Sequence, residues 1–306
     1  MRIAIMAAGA VGAYYGARLA AAGNDVSFIA RGVHFAAIRQ RGLKIESVHG
    51  DLHLKNPNVT DDPKTIGPVD IVMFAVKLWD TEQAAKAALP LIGPNTRLIT
   101  FQNGIDSVER LAPIIGAEKT VGGVAYIASN MTAPGVIKHT SQFHHVRVGH
   151  ADKHADPQLD AFVEIGKGAK LDFAISENIE RELWEKFIFL ISITGATAAL
   201  RSSVGPIFAD SQTRAFYREL MDEAYAVGCA KGIAIDPAYV DERFEFVSKI
   251  DPGIKSSMAN DLERGSRLEL DWLSGKVSAL GRELNVPTPA SDMVYVVLKL
   301  HRMGAA

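Results

Sequence analysis

Cysteine is nearly absent: Cys229 is the single one among 306 residues. A disulfide framework and a cysteine metal cluster are thereby excluded, and the composition suits a reducing cytoplasm. An excess of charge of one sign is also missing, since 33 Lys and Arg meet 35 Asp and Glu, for a formal net charge of −2. No global field draws the chain to nucleic acid or to an anionic membrane, and no basic stretch with interleaved aromatics marks a nucleic-acid interface. Long apolar runs are lacking too. The longest candidate, residues 187–200, contains Ser192, Thr194, Gly195 and Thr197. It falls short of the roughly 18 apolar residues of a membrane span, so a buried helix is expected there. The apolar start MRIAIMAAGAVG is broken by glycines, and Arg18 follows before a signal-peptide core develops. There is no fixed-period repeat and no low-complexity tract. The nine histidines, His144–His145 and His49/His53 among them, have no clear ligand partners in the sequence. They are read as structural, and no metal site is expected.

What is present is ordinary globular material, 48% hydrophobic and 22% charged, in a chain long enough for two domains. Residues 2–6 form an apolar run followed by small residues. Residues 11–22 have helix composition and stop at Gly23, and 25–30 (DVSFIA) are β-rich. This is a strand, glycine turn, helix and strand within about 30 residues, the size of a βαβ unit. Further strands are expected at 69–76 and 97–101, with helices at 81–89 and 107–115. Beyond Thr120 the pieces VGGVAYIAS, GVIKHT and HHVRVGH resemble antiparallel additions to a parallel sheet. A helix at 160–168 and a strand at 171–175 follow. After Ile179 the β signal disappears. Residues 180–200, 211–231, 237–249, 268–284 and 291–302 are all expected to be helical, from apolar recurrence at three and four such as Phe216, Leu220, Glu223, Ala224 and Val227. The expected fold is α/β: a Rossmann-type doubly wound domain over 1–178, then an all-α domain over 179–306.

Residues 7–12 read A-A-G-A-V-G between a strand and a helix, where the dinucleotide fingerprint G-x-G-x-x-G belongs. Gly9 lets the backbone approach a pyrophosphate and Gly12 lets the helix pack on the strand. The helix N-terminus offers free donors. Ala7 replaces the first glycine, which is tolerable if its φ stays negative. The candidate cofactor-binding residues are therefore Ala7, Ala8, Gly9, Ala10, Val11 and Gly12, although small residues at such a turn can also serve packing alone. The acid that normally holds the ribose, about 20 residues beyond the glycine turn, is missing. Arg31 stands there instead. It can grip a 2′-phosphate, which points to NADP, or it can be a solvated loop arginine. Lys77 and Asn103 fall at the ends of successive strands, where ligands of open α/β sheets bind. Each also has a plain reading, as a surface charge and as part of an Asn-Gly turn.

With these residues placed, the chain resembles the ketopantoate reductase (2-dehydropantoate 2-reductase) family over essentially its whole length. The resemblance rests on the glycine turn, Arg31, AVK at 75–77, QNG at 102–104, GGVAYIAS at 122–129, ELWEK at 182–186, SSMAND at 256–261, RLELDWLSG at 267–275 and NVPTP at 285–289. It implies reduction of a 2-oxo acid by NADPH. The family's general-acid lysine falls on Lys186 and its glutamate, near the substrate hydroxyl and the nicotinamide, on Glu269. Its substrate-binding serine falls on Ser257, its strand-end pair on Lys77 and Asn103, and a backbone position lining the cofactor on Ala128. Asn103, Lys186 and Ser257 are thereby implied to touch substrate. Read without the family, Lys186 is better explained by a lysine reaching from its helix to water, and Glu269 equally by one more charge on an amphipathic helix. Trp184 and Trp272 are read as core anchors.

Two departures bear on the substrate. The family's substrate-binding asparagines, one and two turns after the lysine, are replaced by Leu190 and Thr194. The leading expectation is ketopantoate reduction for pantothenate synthesis. The alternatives are an NADPH-dependent reductase of a different, more apolar 2-oxo acid, and a non-catalytic NADPH-binding protein. A β-hydroxyacid-type dehydrogenase is disfavoured by the missing acid after the second strand and by the QNG and SSM motifs. The expected partner is a small-molecule 2-oxo acid, with no nucleic acid and no membrane. The long apolar helices suggest a homodimer through the helical domain.

Overall fold

The computed structural model describes residues 1–305, which divide into two compact units. Residues 1–102 and 106–179 form the first; 103–105 and 180–306 form the second. In chain order the first unit contains β1 (Arg2–Met6), α1 (Ala10–Ala21), β2 (Asp25–Ile29), α2 (Gly32–Arg41), β3 (Leu43–Ser47), β4 (Leu52–Leu54), β5 (Asn58–Thr60), β6 (Val69–Phe74), α3 (Thr81–Ala88), β7 (Ile92–Thr100), α4 (Ser107–Ile115), β8 (Thr120–Ala133), β9 (Val136–Gly149), α5 (Pro157–Gly168) and β10 (Phe173–Ile175). Its sheet runs β4-β3-β9-β8-β7-β6-β1-β2-β5, with β10 paired to β9. From β5 to β8 every neighbouring pair is parallel. The order reverses between β1 and β6, so their carboxyl ends open a crevice of the kind that takes ligands in doubly wound sheets. The central strands are apolar on both faces, as helices on either side require: Ile3, Ile5, Ala4 and Met6 of β1 are all buried.

The first helix sits tightly on this sheet. A Cβ on Gly16 would meet Ile5 and Phe28 side-chain atoms at 2.7 Å, and one on Gly12 would meet Ala7 O at 2.5 Å. Both glycines therefore serve close helix–strand approach. The three β-rich pieces after Thr120 are in fact two 14-residue strands, β8 and β9, that pair antiparallel.

The second unit contains α6 (Ile179–Ala199), α7 (Val204–Ala209), α8 (Ser211–Ala230), α9 (Tyr239–Ser248), α10 (Ser257–Glu263), α11 (Ser274–Leu284) and α12 (Pro289–Leu298). Its core gathers Trp184, Phe187, Ile188, Ile191, Tyr217, Leu220, Val277 and Val294. The hydroxyls of α6 are buried but not orphaned. Ser192, Thr194 and Thr197 donate to the carbonyls of Ile188, Leu190 and Ile193 at 2.7, 2.6 and 2.6 Å. The buried Glu223 of α8 accepts from Ala290 N, Ser291 N and Ser291 Oγ at 2.6, 2.8 and 2.7 Å, tying the first turn of α12 to α8.

One expected helix is corrected. Residues 268–284 are not continuous: a 3₁₀ turn, Leu270–Trp272, precedes α11, and Leu273 (φ −104°, ψ −103°) breaks the spiral between them. Glu269 consequently caps a turn and is not on an amphipathic helix. Among the described residues no helix is long and apolar enough to cross a membrane.

Candidate functional site

In the first unit the candidate residues follow the carboxyl ends of the central strands. The turn at residues 7–9 leaves β1, and the ladder continues into it: Ala8 N donates to Ile29 O at 2.8 Å and Ala75 N to Met6 O at 2.6 Å. Ala7 is not among the residues of positive φ, which is the condition under which alanine can stand in for the first glycine. Gly9 caps α1 with φ −73°, a conformation open to any residue. A Cβ there would meet nothing within 4 Å. The protein's own packing does not require glycine at position 9; open space before a helix N-terminus suits a pyrophosphate. No side chain caps α1, and its first turn carries no acid, so the partial positive charge of the helix that Ala10, Val11 and Gly12 begin is left unopposed by the protein's own side chains. This turn fits a dinucleotide.

Arg31 is exposed just beyond β2, as the N-cap residue of α2, and Gly32 at φ +56° supplies the left-handed bend that starts the helix. Lys77 is exposed after β6, its Nζ 5.4 Å from the Trp79 ring centroid. Ala128 lies where the β8–β9 register shifts, between Ile127 and Ser129. Its N–H bonds Ser141 Oγ at 2.9 Å. Gln102, quoted in the QNG motif but assigned no role from sequence, is buried. Its amide Nε2 donates to Thr81 Oγ1 at 2.8 Å and Val76 O at 3.2 Å, so it ties the loop after β6 to the end of β7.

In the second unit the structure brings Asn103 and Lys186 together. Lys186 Nζ donates to Asn103 Oδ1 at 3.3 Å, although 83 residues separate them. Burial pushes the Lys186 ammonium down from its ordinary value to about 8, partly opposed by the negative charge of Glu269. Glu269 is 7% exposed. A half-buried ammonium beside a carboxylate, with its pKa lowered toward neutrality, is equipped to give up a proton near neutral pH. Ser257 is exposed at the start of α10. Its predecessor Ser256 is buried, caps α10 by accepting from Ala259 N at 3.0 Å, and lies 2.7 Å from Thr197 Oγ1. Thr197 thus fixes the SSM turn to the same helix that carries Lys186, a link that sequence spacing could not show. Thr194 is fully buried, and its hydroxyl is spent on Leu190 O. Leu190 presents hydrocarbon. Trp184 is 3% exposed and packs edge-on to Phe187, a core anchor.

No metal site was expected, yet His150, His154 and Asp156 place ligand atoms within 4.8 Å of one another. Their present bonds are complete without an ion. Asp156 accepts from Arg97 Nε at 2.5 Å, His150 Nε2 at 2.9 Å and Gln158 N at 3.0 Å, while His154 bonds Asp152 at 2.6 Å. The Arg97 charge beside the carboxylate disfavours a cation.

Comparison with known proteins gives the family. The family model "Ketopantoate reductase PanE/ApbA" matches residues 3–153, and "Ketopantoate reductase PanE/ApbA C terminal" matches residues 178–302. The chain belongs to the ketopantoate reductase family. A 2-dehydropantoate 2-reductase of Mesorhizobium japonicum is 31% identical, over 98% of this chain and 97% of that protein. An uncharacterised oxidoreductase of Bacillus subtilis is 30% identical, over 98% and 99%. The crystal structure of 2-dehydropantoate 2-reductase from Geobacter metallireducens superposes with a TM-score of 0.92 at 32% identity, covering 98% and 99% of the two chains. A D-mandelate dehydrogenase solved with NADH shares the fold at a TM-score of 0.89, covering 99% and 98%, with 21% identity. Membership makes the chain an oxidoreductase of this family; the specific oxo acid and the nicotinamide partner are a separate matter.

Proposed function

We propose that this chain uses NADPH to reduce the ketone of 2-dehydropantoate to the alcohol of pantoate, a step of pantothenate synthesis. The observation that carries the reading is Lys186, a partly buried ammonium held by Asn103 with its pKa lowered to about 8. When bound, the reduced nicotinamide supplies a hydride to C2 of the oxo acid. Lys186 stabilises the negative charge that develops on the C2 oxygen and then protonates it. Asn103 aims Nζ, and Glu269 keeps the cationic form accessible despite burial. Ser257 offers a hydroxyl to the substrate. Residues 7–12, Lys77, Asn103, Ala128 and Glu269 take the dinucleotide. Arg31 grips a 2′-phosphate, supported by the absence of an acid after β2. A cytoplasmic location suits a chain whose one cysteine is free.

A second reading keeps the chemistry and changes the substrate. Leu190 has no polar side-chain atom, and the Thr194 hydroxyl is fully buried with its proton on Leu190 O, which favours a more apolar 2-oxo acid. The deciding experiment offers ketopantoate and a panel of apolar 2-oxo acids with NADPH and with NADH, following nicotinamide absorbance. Rapid turnover of ketopantoate with NADPH, and at least about tenfold less with NADH, supports the first reading. Turnover of another acid with ketopantoate ignored moves the substrate to the second. Tight NADPH binding without any turnover leaves a binding protein.

We also propose a homodimer through the helical unit. Met293, Val296, Val297 and Leu300 are exposed in a row, Leu300 at 92%. Their spacing is self-complementary: about the midpoint of Val296 and Val297, Met293 mirrors Leu300 and the acidic Asp292 mirrors His301. A second copy laid antiparallel meets apolar with apolar and acid with base.

A further inference from the structure

His34 stands in the first turn of α2, three residues after Arg31. Both ring nitrogens are engaged by main chain. Nε2 is 2.8 Å from Ala8 O, and Nδ1 is 3.0 Å from Gly135 N. A carbonyl oxygen only accepts and an amide only donates. The ring must therefore carry its proton on Nε2 and keep a lone pair on Nδ1. Burial holds this imidazole below its ordinary pKa, so the neutral form is the resting one.

The two partners are themselves anchored. Ala8, 1% exposed, sits inside the A-A-G-A-V-G turn, and its N–H is already bonded to Ile29 O of β2. Gly135, at the tip of the β8–β9 hairpin with φ +83°, accepts Lys44 N through its carbonyl at 2.9 Å. His34 thus joins the glycine turn to the hairpin tip across α2, and it fixes the one carbonyl of Ala8 that the strand ladder leaves open.

We propose that His34 is a positioning residue for the dinucleotide: through the Nε2–H to Ala8 O bond it holds the residue 7–12 turn in the shape that receives the pyrophosphate. The inference rests on the reading that this turn binds NADPH. It predicts a role in cofactor affinity and none in proton transfer, since both ring nitrogens of His34 are committed to main-chain bonds.

The test measures NADPH affinity by fluorescence, steady-state kinetics and melting temperature for His34→Leu, His34→Gln and His34→Asn. His53→Leu is the control, because His53 Nε2 also bonds main chain, Arg41 O at 2.8 Å, without touching the turn. His34→Leu is expected to weaken NADPH binding by roughly tenfold, the loss of one partly buried hydrogen bond, and to raise KM for NADPH while kcat at saturation stays near wild type. Gln, which offers a donor and an acceptor at the reach of Nε2, should restore most of the affinity. Asn, which reaches only as far as Nδ1, should not. Unchanged affinity in the Leu variant, an equal loss in His53→Leu, or failure of Gln to do better than Asn overturns the proposal. Should His34→Leu not fold, the contrast between Gln and Asn decides alone. Wild-type protein that binds no NADPH overturns both this inference and the reading beneath it.

Discussion

Burial changes what Lys186 is worth as an acid. In water a lysine at pH 7 holds its proton too firmly to deliver it quickly; lowered to about 8, it does so at modest cost. The sign is definite, because reduction needs the protonated form. The kcat/KM for oxo-acid reduction should be level below about pH 7 and fall as pH rises through about 8, while oxidation of the hydroxy acid should rise over the same range. A pH–rate profile flat to pH 10 or beyond, where an unperturbed lysine titrates, would contradict this. Little of this chemistry was legible in the residues by themselves. Lys186 and Glu269 were marked only by family resemblance, since a lysine on an apolar helix is otherwise unremarkable. His34 and Gln102 stayed hidden because their partners are main-chain atoms and hydroxyls far along the chain: Gly135 lies 101 residues from His34.

At the scale of elements, strong periodicity was readable and weak periodicity was not. The strand at β6 and the helix at α4 stand out because runs of buried β-branched residues and a clean apolar stripe leave no rival. Helix α2 buries only Ala37 and Ile38, too few to mark a face. The break at Leu273 went unread although Asp271, Ser274 and Gly275 beside it are weak helix formers, because the backbone there answers to tertiary packing rather than to local propensity. The β8–β9 hairpin also assembles an imidazole group that no spacing announces. His49 stacks on His144 with centroids 4.1 Å apart and lies 5.5 Å from His139, and Tyr14 OH is 2.7 Å from His144 Nδ1. Burial, then the charges of His49, His139 and Arg18, push His144 down to about 4. The folded state therefore binds fewer protons than the unfolded chain between about pH 6.5 and about 4, and stability declines as pH falls through that window. After allowance for solvent screening the loss is about 1–2 kcal/mol. Urea unfolding at pH 7 and pH 4.5 should show it, with a smaller decline in His144→Phe; an equal decline in both proteins would remove His144 as the cause.

For the molecule as a whole, composition and element order carried the reading furthest. A glycine turn at the first strand and an all-helical second half were enough to expect an α/β domain followed by an α domain. The assignment of Asn103–Ile105 to the second unit was beyond sequence, because chain order puts these residues inside the first. The exposed row along α12 and the turn that follows it belongs to this scale too. A Val296→Asp, Leu300→Asp double variant should sediment as a monomer at concentrations where wild type is a dimer, since charges buried in an apolar contact are strongly opposed. A wild-type protein already monomeric at tens of micromolar would remove the dimer.

In the proposed nicotinamide-dependent reduction of an oxo acid, Lys186 delivers the proton. The most direct measurement compares wild type and Lys186→Ala for NADPH oxidation with the best oxo acid, alongside NADPH affinity by fluorescence. Turnover should fall by about 10²- to 10⁴-fold, with NADPH affinity within about twofold of wild type. Turnover that survives the substitution, with the protein folded and NADPH bound, would contradict the account.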